Sequence, residues 1–231
     1  MNEPQDALTP QADALTPQAD ALTPQPPLPQ AGEGGKNAAT VSAAGEGGQG
    51  SAAPARKVRA ATVWLDGCSG CHMSFLDLDE RLIEIAQHVE MVYTPLIDLK
   101  IYPDDVDVAL VEGAVSSEED LEKIHRIRRK TKVLIAFGDC AVTGNVPSMR
   151  NAFSLHDLFQ RGYFETATLN PSVPDQVVPK LLPIVRPIHE YVPVDIFLQG
   201  CPPPADVIYG LLMDLLAGRT PDLTTKTRFG R

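Results

Sequence analysis

AATVWLDGCSGCHMSFLDLDERLIEIAQHVEMVY, residues 60 to 93, is the stretch on which the fold turns. It opens on a continuous apolar run, AATVWL, which is too short for a buried helix and reads as a buried strand. From Ser74 to Gln87 the period changes, and Phe75, Leu78, Leu82, Ile85 and Ala86 fall on one helical stripe. HVEMVY, 88 to 93, is a second strand, closed by Pro95. Between the first strand and the helix lie two cysteines, Cys68 and Cys71, separated by Ser69 and Gly70.

The same alternation continues toward the C-terminus. VDVALV, 106 to 111, is a third strand. Ser116 and Ser117 then offer an N-cap, with acids at 118 to 120 in the first turn of a helix running to about Lys130. KVLIAF, 132 to 137, is the fourth strand and VDIFL, 194 to 198, the fifth, followed by a helix from about Ala205 to Ala217. Continuous apolar strands separated by helices predict a parallel sheet covered on both faces. Right-handed crossovers then favour a flavodoxin-like, doubly wound order of 2-1-3-4-5. Residues 141 to 193 interrupt this plan with seven prolines and little periodicity, and an insertion of that length usually serves a site or an interface.

The first 55 residues have a different character. DALTPQ begins at Asp6, Asp13 and Asp20, but each repeat carries one leucine and a proline, which rules out a coiled coil. With no aromatic residue and no isoleucine there, no core can form, so residues 1 to 56 are expected to be a disordered low-complexity tail. Residues 57 to 231 are expected to form a single domain, and one of about 175 residues buries enough surface to need no disulfide.

With 20 Lys and Arg against 30 Asp and Glu, the chain lacks the basic footprint of a nucleic-acid binder. No stretch approaches the roughly 18 consecutive apolar residues of a membrane span. The N-terminus has neither the basic nor the apolar region of a signal peptide, so the expected location is cytoplasmic. In a reducing compartment four cysteines are metal ligands or redox groups more often than structural disulfides.

Cys68 and Cys71 follow strand one, Cys140 follows strand four and Cys201 strand five, so all four fall at the carboxyl edge of the predicted sheet, where ligand sites of open α/β sheets form. A thioredoxin-type pair accounts for Cys68 and Cys71 but leaves Cys140 and Cys201 idle. Structural zinc accepts four thiolates, although its usual signature is two close pairs. A [4Fe-4S] cluster accepts four thiolates from scattered loops, and a Cys-Pro step such as Cys201-Pro202 is familiar in such sites. Spacing favours the cluster and leaves the other two readings open.

His72 adjoins a ligand and could hydrogen-bond a cluster sulfur; a solvent-facing histidine at a helix start is the plainer alternative. Glu112, at the end of strand three, could take part in proton or partner contacts or simply hydrogen-bond a turn. Asp66 and Asp139 read as loop-forming acids. No Ser-His-Asp grouping, Walker loop or GxGxxG motif is present.

Four blocks, VWLDGCSGCHMSFLDLDE (63 to 80), VEGAVSSEEDLE (111 to 122), FGDCAVTGNVPSMRN (137 to 151) and FLQGCPPPAD (197 to 206), occur in the order seen in a known family. Together they resemble the small, or delta, subunit of soluble NAD-reducing [NiFe] hydrogenases, over residues 59 to 218. The 20 kDa subunit of respiratory complex I is similar in the G-D-C and G-C-P-P blocks but has adjacent cysteines in the first block. The resemblance implies an electron-transfer subunit that is not catalytic alone. Cys68, Cys71, Cys140 and Cys201 would bind the proximal [4Fe-4S] cluster, between a nickel-iron large subunit and NAD- and FMN-binding diaphorase subunits. Some members are reported to bind FMN in this subunit, yet no phosphate-cradling loop is evident here, because Cys68 and Cys71 occupy the first strand-to-helix loop. Gln199 departs from the family's more frequent Pro before G-C-P-P, which is expected to affect a turn only.

Overall fold

The apolar run that ends at Trp64 is strand β1 (Val58–Trp64). The helical stripe after it is divided between two helices, α1 (Gly70–Leu76) and α2 (Arg81–His88), where periodicity alone predicts one continuous helix over 74 to 87. The break has a local cause: in the acidic turn between them Asp79 adopts a left-handed conformation, φ 50°, which no helix can propagate. Leu78 and Ile85 are buried as the stripe predicts, while Ala86 is exposed. Strand β2 (Val89–Tyr93) follows directly. The computed structural model describes residues 56–97 and 99–230; the expectation of a disordered tail over 1 to 56 concerns residues outside that range except Arg56, which is placed and paired with Asp107.

Strand β3 (Val106–Glu112) is buried along its whole length and β4 (Val115–Ser117) is a short continuation. Helix α3 (Glu118–Lys130) begins on a capping box, in which the Ser117 hydroxyl accepts from the Asp120 N–H and the Asp120 carboxylate accepts from the Ser117 N–H. Three acids lie in its first turn and Arg128, Arg129 and Lys130 in its last, each matched to the nearer end of the helix dipole. Strand β5 (Thr131–Phe137) leads into α4 (Asp139–Thr143), and the chain then passes through α5 (Asn145–Ser148) and α6 (Leu155–Phe159). Strand β6 (Leu181–Arg186) pairs antiparallel with β4, so the proline-rich insertion contributes one strand of a small second sheet that periodicity does not reveal. Pairing at β4 is brief and its partner carries a proline, Pro183, which leaves no alternation to read. Strand β7 (Ile196–Leu198) and helix α7 (Ala205–Leu216) complete the fold.

The main sheet is parallel throughout, in the order β2-β1-β3-β5-β7, which is 2-1-3-4-5 when its five strands are counted along the chain. Alternate residues feed two apolar layers. Leu110, Ile135 and Phe137 pack against Ile208 and Leu211 of α7 on one face, and Val111 and Leu134 against Ile124 and Ile127 of α3 on the other. Among the described residues no helix is long and apolar enough to cross a membrane.

Register carries the site. Trp64 lies beside Glu112, Glu112 beside Phe137 and Phe137 beside Leu198, so β1, β3, β5 and β7 end level with one another. At the opposite end of β3, Asp107 is buried and ties the strand starts together. Its carboxylate accepts from the Arg59 N–H at 2.9 Å, from Lys132 Nζ at 2.8 Å and from Arg56 at 2.9 Å. Burial alone pushes its pKa up, but the Lys132 hydrogen bond, the Arg59 N–H and the two cations outweigh that and hold it below the ordinary carboxylate value. A depressed folded-state pKa gives stability that is present above the unfolded value and lost as pH falls through the folded one. Asp107→Asn is therefore expected to destabilise the domain by about 1–3 kcal/mol at pH 7. Denaturant melts of both proteins should show the difference shrinking as pH falls below about 4.

Candidate metal centre

The level strand ends deliver three loops to one place. Cys140 lies three residues past Phe137 and Cys201 three past Leu198, while Cys68 and Cys71 occupy the loop after Trp64 and the first turn of α1. None of the four is in a disulfide; Cys71 and Cys140 are buried, Cys68 and Cys201 exposed.

The thiols are near enough to act on one another. Cys71 is held well above the ordinary thiol range, first by burial, then by the Glu112 carboxylate and by Cys140, Cys68 and Cys201. Cys140 is also raised, chiefly by burial, with Cys68 and Cys201 adding to the effect. Among the described residues, however, no three His, Cys, Asp or Glu side chains close on a point as ligands of a single ion would.

Backbone geometry makes room for sulfur. Gly138 has φ +84°, and a Cβ there would lie 2.1 Å from Cys71 Sγ, so only glycine lets the β5 loop close over that thiol. Gly113, φ +96°, plays the matching part behind the first loop: a Cβ would meet the Asp66 carbonyl oxygen at 2.7 Å. That approach is held by paired bonds, Ala114 N–H to Asp66 O at 2.7 Å and Asp66 N–H to Ala114 O at 3.1 Å. Donors also reach the sulfurs, from the Gly70 N–H to Cys68 at 3.4 Å and from Asn145 Nδ2 to Cys201 at 3.5 Å.

His72 is not solvent-facing: it is buried, its backbone N–H donates to Glu112 Oε2 at 3.1 Å, and its Nδ1 is hydrogen-bonded to the same oxygen. Glu112 is 1% exposed and anchors the start of α1 beside the thiols. Asp139 does more than shape a loop. Its Oδ1 accepts from the Gly200 N–H at 2.7 Å and its Oδ2 from the Gly230 N–H at 2.6 Å, which clamps the Cys140 loop to the Cys201 loop and to the C-terminal segment. Ser74 Oγ donates to the Pro203 carbonyl at 2.5 Å and draws α1 onto the Cys201 turn, where the Cys201-Pro202 peptide is cis. Gln199 keeps the turn intact, and its Oε1 accepts from Thr227 Oγ1 at 2.9 Å. Asp139, Asn145 and Ser74 fall within the blocks that carry the resemblance, Asp139 in the G-D-C step, but nothing in their spacing points to these contacts.

Four loop thiols, two of them raised in pKa, two receiving hydrogen bonds and one enclosed by a glycine, form a donor set suited to a polynuclear cationic cofactor, which would stabilise the thiolates that burial disfavours. Residues 68–215 match the family described as NADH ubiquinone oxidoreductase, 20 Kd subunit. The NAD-reducing hydrogenase HoxS subunit delta of Cupriavidus necator is 42% identical over 172 residues, 72% of this chain and 82% of that one. One subunit of the F420-non-reducing hydrogenase of Methanocaldococcus jannaschii is 40% identical over 171 residues, 73% of this chain, which spans only 59% of that protein. A chain in the crystal structure of NAD+-reducing [NiFe]-hydrogenase in the H2-reduced state superposes with a TM-score of 0.72 at 42% identity, over 75% of this chain and 99% of that chain. Fold, cysteine placement and relatives agree, and the chain belongs to the family of the NADH ubiquinone oxidoreductase 20 kDa subunit, in which it resembles the delta subunit of NAD-reducing hydrogenase.

Proposed function

We propose that residues 57 to 231 form the electron-transfer subunit of an NAD-linked [NiFe] hydrogenase, with Cys68, Cys71, Cys140 and Cys201 as the thiolate ligands of one [4Fe-4S] cluster, the one proximal to the nickel-iron centre. The observation that carries this reading is the convergence of all four thiols at the level ends of β1, β5 and β7. Four thiols drawn from three separate loops, rather than from two close pairs, favour a cluster over zinc. When bound, such a cluster passes electrons singly between the H2-splitting large subunit and the flavin-bearing diaphorase subunits.

The chain's own residues tune and present that site. The Glu112 carboxylate lies near Cys71 and orients His72, while Asn145 and the Gly70 N–H offer hydrogen bonds to the exposed pair of sulfurs. Met73, two residues past Cys71, and Val146, Met149 and Phe153 of the insertion that follows Cys140 are exposed. Exposed apolar side chains in the segments that follow the cysteines fit the interface with the large subunit.

Anaerobically purified chain is expected to contain about four irons and matching sulfide. Stoichiometric zinc without sulfide would sink the proposal. Cys140→Ser and Cys201→Ser are each expected to lose the cofactor, whereas a Cys68/Cys71 dithiol function would survive both changes. Glu112→Gln removes a negative charge beside the cluster, so its midpoint potential, read by a redox titration of the electron paramagnetic resonance signal, is expected to rise by tens of millivolts. The double substitution Met149→Asp and Phe153→Asp is expected to weaken co-purification with the large subunit by about 100-fold while leaving iron content unchanged.

A further inference from the structure

Past helix α7 the chain turns at Gly218, φ +68°, and runs on through residues 219 to 230 with neither helix nor strand. Its root is fixed by Arg219, whose backbone N–H donates to the Asp214 carbonyl at 2.8 Å and whose guanidinium pairs with the Asp214 carboxylate at 2.6 Å. The segment does not extend the main sheet. Among the described residues β7 pairs only with β5, and a cavity of about 550 Å³ lies between β7 and the segment, bordered by Phe197, Leu223 and Phe229. Leu223 packs against the apolar layer that α7 covers. Farther along, Thr227 Oγ1 donates to Gln199 Oε1 at 2.9 Å and the Gly230 N–H to Asp139 Oδ2 at 2.6 Å.

Both contacts land beside thiols. Gln199 lies two residues before Cys201, and Asp139 one before Cys140. Asp139 and Gly200 form a closed pair, Asp139 N–H to Gly200 O at 2.9 Å and Gly200 N–H to Asp139 Oδ1 at 2.7 Å, which yokes the two cysteine loops. The aspartate is 4% exposed, so its second oxygen takes its hydrogen bond from the protein, and Gly230 supplies it. Without that donor the carboxylate has two courses: Oδ2 stays unpaired, or the side chain turns toward water and releases Gly200. Either course loosens the yoke between Cys140 and Cys201. We propose that residues 218 to 230 are a brace of the thiol site, in which Gly230 fixes Asp139 as the positioning residue for Cys140 and Cys201. The inference rests on reading the four cysteines as one ligand set.

The test compares the full chain with a chain truncated after Lys226, with Gly230→Pro, which deletes the donor and keeps the length, and with Asp139→Asn. Each is purified anaerobically, stripped of metal with a chelator and alkylated with iodoacetamide, and the labelling rate at each cysteine is read by mass spectrometry. Truncation is expected to speed labelling of the buried Cys140 about tenfold, and that of Cys71, buried on α1 and outside the yoke, less than twofold. Gly230→Pro is expected to act in the same direction by about fivefold or more. Asp139→Asn puts an amide N–H₂ in place of one oxygen, so the Gly200 and Gly230 donors cannot both be met, and it is expected to match the truncation. Truncating that variant is expected to add less than about twofold, because both changes remove the same bond. The proposal is overturned if Cys140 labelling shifts less than about twofold in both the truncated chain and Gly230→Pro, if Cys71 speeds as much as Cys140, or if the effects of truncation and Asp139→Asn multiply. Iron missing from the wild type as purified would sink the cluster reading, and the labelling rates, which need no metal, would still decide the brace.

Discussion

Glu112 closes a strand that is buried throughout, and its carboxylate has no access to water. A buried charge in that position must be met by donors, and the first turn of α1 supplies them through the His72 N–H and ring. That pairing sets where α1 begins and therefore where Cys71 sits. The same charge pushes the Cys71 thiol upward, on top of the larger effect of burial. Holding Cys71 and Cys140 as thiolates takes positive charge beside them, so binding of the proposed cofactor would be coupled to proton release at this end of the sheet.

The parallel sheet is what makes the convergence possible. Strands that run the same way and end level place successive loops side by side, and a ligand from each reaches a common volume with no distortion of the strands. The loops are then locked to one another by polar contacts that lie outside the sheet. Asp139 bonds Gly200 and Gly230, Ser74 bonds Pro203, and the Asp66 and Ala114 backbones bond each other. Glycine at 113 and 138 permits approaches that any side chain would block.

Much of this was legible along the chain because apolar periodicity and cysteine position are local properties. The five strands, the cap at Ser117 and the placement of the four cysteines past strand ends all follow from spacing. The division of the first helix was not, since it hangs on the left-handed conformation of one aspartate in a stripe that is otherwise continuous. Nor was the pairing of β4 with β6, two short segments far apart in sequence whose partnership depends on how the insertion folds back. Asp139 read as a turn residue because its partners, Gly200 and Gly230, are distant and offer only backbone N–H groups, which leave no mark on residue type.

By itself the sequence determined the layer architecture, the strand order and the identity of the thiol set, because strand and helix periods and a right-handed crossover leave few arrangements open. Only the tertiary structure decided that His72 is buried against Glu112, that Asp139 clamps two loops, and that Ser74 ties α1 to the Cys201 turn. Those outcomes depend on which side chains meet across loops far apart in the chain, and such meetings are governed by packing and desolvation, to which no local pattern is sensitive.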